Sequence, residues 1–493
     1  MSRSIIKFFL FACLIPQIAW GEWGKQLSHD ELSKFSSVSL GFAAQDLKSP
    51  ISNFGHTFLI FHNEELEADS IVLEFTGKAP TLTDNIAALV HTVPGHYSLT
   101  YFADKRREYD LENRSLWIYN LNLNSDEVLR LKKFVHEAIG VEYPYDFSQR
   151  NCAWYISYAL EQAQKVKYEK EGVFVTPLSV IKWASNSGLI LSSTFEPSTQ
   201  LRALELYKTL NEHDQHIVQD YFAYSPRLSE SDAADQVGHS ISLIAEYRLP
   251  READASLRGT YFNIKQHFRS AAEAAYKVPD PLFSNPSGLL SFQSVGSGGI
   301  FTVSPGFIRL ENEQMFGVSN ASVEALRTSI YASNEIVRLD EFNLVTLEAN
   351  QPTSYLVDGF TQMLSISYKD YQRLIGEKYT EEHLMFGRGA SIELFGVSLS
   401  AEPVVSLKDI QTSNGSYAQA SVIGRGKMYC DIKFAVISAQ LMQAVRNDSV
   451  IQQEGSFNMS HTFGKYSLGL AFRLVSGHMF YKSESGIKLS VAF

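Results

Sequence analysis

The chain ends in a strand-length segment that alternates apolar and polar residues up to its last position, and repetition of that pattern upstream limits the fold more than any other feature. Ile487, Leu489, Val491 and Phe493 alternate with Lys488, Ser490 and Ala492. Just before them, Tyr466, Leu468, Leu470, Phe472 and Leu474 point one way and Ser467, Gly469, Ala471 and Arg473 the other. A period of two puts neighbouring side chains on opposite faces of a strand. Such segments, separated by Gly, Asn, Asp, Ser and Pro, begin near Gly238, where Ile241, Leu243, Ala245, Tyr247 and Leu249 are predicted to share a strand face. A soluble β-sandwich or β-helix also alternates. Strands of about ten residues with aromatic ends fit a tilted membrane strand better, because there the outward side chains must be apolar and closure satisfies every backbone group. Residues 236–493 are therefore predicted to form a C-terminal antiparallel transmembrane β-barrel of about 12 strands, an even count as this architecture expects. Phe493 is read as the terminal aromatic that marks such a barrel for insertion into the outer membrane.

The other end of the chain sets the compartment. Arg3 and Lys7 precede an apolar stretch from Phe8 to Ile18, with small residues at Ala19 and Gly21. Residues 1–21 therefore read as a cleaved signal peptide, since the apolar run falls short of the roughly 20 residues that span a bilayer. No later stretch is apolar enough for a membrane helix. A net charge of −11 and the lack of a basic run interleaved with aromatics argue against nucleic acid as a partner. A length of 493 residues exceeds one hydrophobic core and suggests two domains with a connector. Removal of the signal leaves two cysteines, Cys152 and Cys430. A disulfide between them would have to bridge the two domains, so a free thiol at Cys152 and an inert one at Cys430 are expected.

Residues 22–194 have a mixed pattern. Phe58-Leu59-Ile60-Phe61, Ile71-Val72-Leu73-Glu74-Phe75 and Ser115 to Leu121 read as strands. Asn124 and Glu127 form a capping box for a helix whose apolar residues run from Val128 to Ile139, with Gly140 as its stop. A second helix is predicted from Cys152 to Ala163, with Tyr155, Ile156, Ala159 and Leu160 on one face. These elements suggest an α+β domain. Residues 195–235, polar and broken by Pro197 and Pro226, are predicted to be a helical connector.

Two patterns in the α+β domain could carry chemistry. In Asn53-Phe54-Gly55-His56-Thr57-Phe58, a glycine leads into a strand that opens with histidine. In Tyr143 to Cys152, an aromatic loop delivers a cysteine to a helix N-terminus, where the helix dipole favours thiolate over thiol. An imidazole nearby would complete a thiolate–imidazolium pair able to attack an ester or amide carbonyl, and N–H groups at the helix start could hold the oxyanion. Alone, a cysteine at a helix start more often packs than reacts, and His62, His91, His96 and His136 are further imidazoles in the same domain. No metal-ligand spacing, Walker motif or dinucleotide fingerprint occurs, so no cofactor and no metal are expected.

The run Gly55-His56-Thr57-Phe58-Leu59, then Val93 to Tyr97, Arg114 to Leu123 and the aromatic stretch Tyr145 to Cys152, resembles the Lnb-type N-terminal periplasmic domain family over roughly residues 35–200. The resemblance implies a circularly permuted papain-like, NlpC-type thiol-enzyme fold with histidine before cysteine, placing the catalytic pair on His56 and Cys152. It also implies an orienting polar residue on the strand after the histidine strand. Glu74 is the residue there, unless it is merely the solvent side of an alternating strand. Where relatives carry Ser after Asn-Cys, this chain has Ala153, which alters the oxyanion side of the pocket. The function implied is acyl transfer or hydrolysis through a Cys152 thioester, on a lipid or lipoprotein at the inner face of the outer membrane. Cleavage of peptidoglycan stem peptides is a second reading. A barrel whose periplasmic domain only binds a partner is a third.

Overall fold

A computed structural model describes residues 32, 34–44, 55–63, 69–78, 91–164, 166–169, 174–224, 236–267, 280–283, 288–308, 321–395, 397–432, 435–444, 451–477 and 480–492. The signal-peptide assignment, Asn53, Phe54 and Phe493 lie outside the described residues.

The N-terminal part is built on a seven-stranded antiparallel sheet. Its strands are β1 (Ser37–Ala43), β2 (His56–His62), β3 (Ile71–Gly77), β4 (Val93–Tyr101), β5 (Leu116–Leu121), β6 (Tyr143–Tyr145) and β7 (Ile190–Glu196), in the order β6-β4-β3-β2-β1-β5-β7. The strands predicted at 58–61, 71–75 and 115–121 fall on β2, β3 and β5. Both faces of the central strands are covered, so β2 reads as a continuous apolar run. Leu59, Phe61, Leu73 and Phe75 pack on one side with α2 (Ser125–Ala138), α3 (Cys152–Gln164) and α4 (Pro177–Asn186). On the other side, Phe58, Ile60, Val72 and Ile118 meet Phe102 and Tyr109 of α1 (Phe102–Leu111). Each large apolar side chain so buried is worth about 1.5–3 kcal/mol. The capping box of α2 is present: Glu127 N–H donates to Asn124 Oδ1 at 3.0 Å, and Asn124 N–H donates to Glu127 Oε2 at 2.8 Å.

Four helices follow: α5 (Thr199–Thr209), α6 (Glu212–Tyr224), α7 (Gln236–Arg248) and α8 (Ala255–His267). The segment expected to be the first barrel strand, Ile241 to Leu249, lies in α7 and the short 3-10 turn Leu249–Arg251. The reason is that α7 is packed among α5, α6 and α8, with Ile241, Ser242, Leu243, Ile244 and Ala245 all buried. A helix enclosed on most sides has no polar face to show a period of 3.6. Val237, Ile241, Ile244 and Ala245 also fit helical spacing, and the neighbouring helices decide between the two readings.

The barrel begins at Leu289, not at 236. Its strands are β8 (Leu289–Val295), β9 (Gly298–Ser304, continued as Gly306–Ile308), β10 (Ala321–Ala332), β11 (Val337–Gln351), β12 (Phe360–Asp370), β13 (Tyr379–Leu394), β14 (Val397–Thr412), β15 (Gly415–Ile432), β16 (Ala435–Ala444), β17 (Ile451–Phe463), β18 (Tyr466–Gly477) and β19 (Phe480–Ala492). Neighbours pair antiparallel in chain order, β19 returns to β8, and both pieces of β9 pair with β10, so twelve strands close the ring. Leu468, Leu470, Phe472, Ile487 and Leu489 are exposed on the outer face, as their alternation predicted, while Ala471 is buried on the inner one. Among the described residues no helix is long and apolar enough to cross a membrane.

Contacts join the two parts at one end of the barrel. Between β11 and β12, Leu356 enters the core of the helical connector, and the Tyr355 ring stacks on Tyr207 with centroids 5.2 Å apart. Asp280, ahead of β8, accepts hydrogen bonds from Tyr119 (2.7 Å) and Ser193 (2.9 Å) of the N-terminal sheet.

Candidate active site

His56 opens β2 and Cys152 opens α3, and the packing of α3 across β2 and β3 brings the two together. Gly55 makes the approach. Its φ of +80° suits glycine, and a Cβ there would collide with the Phe42 ring and the Ala43 carbonyl. The loop before Cys152 is tied down on itself. Asp146 accepts from Gln149 N–H (2.8 Å), the Ser148 hydroxyl (2.9 Å) and Arg150 Nε (2.9 Å). Asn151 accepts from Trp154 N–H at 3.2 Å while its amide donates to the Phe147 and Val175 carbonyls at 3.1 and 2.7 Å. The Tyr155 hydroxyl donates to the Pro144 carbonyl at 2.6 Å, and its ring stacks on Phe75. The helix start is thus fixed from both sides.

The imidazole of His56 hydrogen-bonds the Cys152 thiol and turns its Nε2 toward Glu74 Oε2, 3.5 Å away. That separation makes the second contact an ion pair more than a hydrogen bond, and Nε2 has no full hydrogen-bond partner. Glu74 is 5% exposed, which excludes the solvent-facing alternative. Its other oxygen is 2.9 Å from Lys105 Nζ, and Lys105 also meets Glu108 at 3.0 Å. A line of alternating charges therefore runs Cys152, His56, Glu74, Lys105.

Each ionisation state follows from this line. Burial pushes the Cys152 thiol up, but the His56 charge, its hydrogen bond and the N–H groups of Thr57 and Ala153 hold it below its ordinary value. Burial works against protonation of His56, yet Cys152 and then Glu74 raise it from 6.5 to about 9. Burial would raise Glu74, but Lys105 and then His56 lower it to about 2. The arrangement favours a thiolate beside an imidazolium, backed by a carboxylate.

The cleft at the thiol holds about 140 Å³ and is lined by Gly55, His56, Arg114, Tyr145, Phe147, Asn151, Cys152, Phe174, Val175, Thr176 and Pro177. The Phe174 ring lies against Gly306 of β9, so the cleft borders the barrel rim. His62 bonds Ser39 at 2.7 Å, and His62, His91, His96 and His136 do not line the cleft. Sequence reasoning missed Lys105 as a member of the site. Within Asp104-Lys105-Arg106-Arg107-Glu108 it looks like part of a solvated helix face, and only its burial separates it from its neighbours. Among the described residues no group of three or more His, Cys, Asp or Glu could hold a metal ion.

Residues 25–186 match the Lnb N-terminal periplasmic domain. No curated protein matches the chain. Two solved barrels are similar to its C-terminal part at low scores. The translocator domain of the autotransporter NalP from Neisseria meningitidis is 10% identical, covering 42% of this chain and 85% of its own, with a TM-score of 0.25. Outer membrane phospholipase A from Escherichia coli is 12% identical over 42% of this chain and 96% of its own, with a TM-score of 0.26. At those scores the barrel rests on its own strand pairing. A periplasmic domain joined to a closed barrel with an apolar outer face is an outer-membrane protein whose N-terminal domain lies in the periplasm.

Proposed function

We propose that the protein is a cysteine acyltransferase or hydrolase that acts through a Cys152 thioester on lipid or lipoprotein substrates at the inner face of the outer membrane. The observation that carries this reading is Cys152 and His56 in one cleft with Glu74 buried behind the imidazole, and the thiol favoured as thiolate. Its order, a strand histidine before a helix-start cysteine, is also what supports a permuted papain-like fold for this domain. The Cys152 thiolate attacks an acyl ester carbonyl, and a carbon–sulfur bond forms as the carbonyl electrons move onto oxygen. Collapse of that oxyanion expels the alkoxide, which takes the proton from the His56 imidazolium. Neutral His56 then accepts a proton from an incoming amine or water as it attacks the thioester, and the thiolate leaves. Glu74 holds the ring and offsets its charge, and Lys105 holds Glu74. The position of the cleft at the barrel rim, marked by Phe174 against Gly306, supports a substrate that resides in the adjoining leaflet.

The test uses the full chain in vesicles containing phospholipid, with and without a lipopeptide bearing a free N-terminal amine, followed by intact mass and peptide mapping. An acyl-sized increment on Cys152 that disappears on adding the amine supports acyl transfer. Turnover of cell-wall stem peptides without any acyl adduct would replace this reading with peptidoglycan cleavage. Full cellular function with Cys152→Ala would leave a binding module.

A further inference from the structure

We infer that the barrel does not conduct: it is a closed stake that fixes the thiol domain to the membrane, and charged side chains meeting across the lumen seal it. A channel of this class keeps a polar, water-filled interior. This interior is occupied by three kinds of closing contact.

The first lies at the end remote from the thiol domain. Lys369 of β12 and Glu454 of β17 are 3.0 Å apart, although their strands stand five positions apart around the ring of twelve. Asp340 of β11 and Arg473 of β18, also five positions apart, approach to 3.9 Å, and Arg473 is 3.2 Å from Glu454. A round barrel of twelve tilted strands would be about 24 Å across between backbones, taking the usual strand spacing and tilt. Two extended side chains fall far short of that width, so the wall is flattened here and the pairs bridge it.

The second is a plug. The turn after β12 folds inward, where Arg373 is 3.2 Å from Asp340 and also pairs with Glu484 of β19, and the Tyr371 hydroxyl donates to Glu454 at 3.1 Å. Tyr371 is buried with Tyr379, Ile410 and Val475, so this turn is seated by apolar contact as well as by charge.

The third lies deeper. Met363, Met385, Val404, Ile423 and Met442, from the successive strands β12 to β16, form a buried apolar cluster, and Arg425 Nη1 lies 3.0 Å from the Met363 sulfur. Arg425 is itself paired with Glu348 of β11 and Glu402 of β14. A cavity of about 310 Å³ remains in the lumen beside these contacts, its lining running from Asp340, Lys369, Glu454 and Glu484 at the outer seal to Asn350 and Thr361 toward the thiol-domain end. Water can occupy that cavity, but the seal bounds it at the far end.

The experiment is single-channel recording of the purified full chain in planar lipid bilayers, with folded barrel confirmed by heat-dependent gel migration. The wild-type protein is expected to be silent, and steady ohmic steps from it would overturn the proposal at once. Lys369→Glu places two carboxylates together and is expected to give conducting steps, while Lys369→Arg, which keeps a cation against Glu454, is expected to stay silent. If Lys369→Glu does not fold, Arg373→Gln, which loosens only the plug, serves in its place with the same expectation. A folded Lys369→Glu that stays silent, or a Lys369→Arg that conducts as freely as Lys369→Glu, would show that these charges are not the seal.

Discussion

Both parts of this molecule bury lines of alternating charge, and they end them differently. In the N-terminal domain the line Lys105, Glu74, His56 stops at a thiol that faces a cleft. In the barrel, Asp340, Arg373, Glu484, Arg473, Glu454 and Lys369 close on one another. Buried charges are costly unless paired, and a fully paired network yields rigidity but no free reactive group. A line with one member left at a surface yields a group whose ionisation is set by the rest. The same residue chemistry thus serves closure in one region and reactivity in the other.

Removing the open end breaks the comparison most severely. Cys152→Ala is expected to abolish both turnover and adduct formation, and persistent turnover in the alanine variant would remove the thiol from the mechanism. Next comes the neighbour of that end. His56→Ala is expected to lower turnover by about 10²–10⁴-fold, the usual worth of a general base, and to slow alkylation of Cys152 near neutral pH as the thiol returns toward its ordinary value. An alkylation rate unchanged between the two proteins would mean that His56 does not control the thiol.

A smaller effect is expected one step further along the line. With Glu74→Gln, His56 loses part of what raises it, so the upper pH limit of the thiolate–imidazolium pair should move down from about 9 toward 6.5. Lys105→Met should shift that limit less and rescue poorly as Arg, because Lys105 reaches two carboxylates from a buried position. The same groups tie stability to pH. His56, raised on folding, contributes stability that is complete below about 6.5 and is lost as pH rises through about 9. Glu74, lowered on folding, contributes stability present above about 4.5 and lost as pH falls toward 2. Denaturant unfolding of the wild type and Glu74→Gln across those two windows checks both signs, and identical profiles would dissociate Glu74 from the ion pair.

What the sequence revealed follows the same division. The outward faces of β18 and β19 were legible because membrane contact forces every second residue to be apolar, and the capping box of α2 was legible because both partners are local. Cys152 at a helix start and His56 at a strand start could be named from short motifs, but their hydrogen bond depends on how α3 crosses β2. The identity of α7 was not legible, since its apolar residues satisfy both a period of two and a helical spacing until α5, α6 and α8 surround it. Lys105 and the charges across the lumen were hidden for a related reason. Their partners lie many residues away, and a charged residue in sequence reads as solvated.

The least disruptive change compares the two cysteines directly. Both are free thiols, yet Cys430 lies inside β15, opposite Val397 of β14 and Ile437 of β16. It has no helix start beneath it and no imidazole directly across either neighbouring strand, so it lacks both features that surround Cys152. Cys430→Ser is therefore expected to leave turnover and Cys152 alkylation within about twofold of wild type, the range of substitutions that remove no specific partner. Labelling the wild-type protein with a limiting thiol reagent at neutral pH should place the first equivalent on Cys152 alone. A first equivalent shared evenly between the two positions would show that His56 and the start of α3 confer no special reactivity, and a mass lower by two hydrogens with both peptides linked would show the thiols joined instead of free.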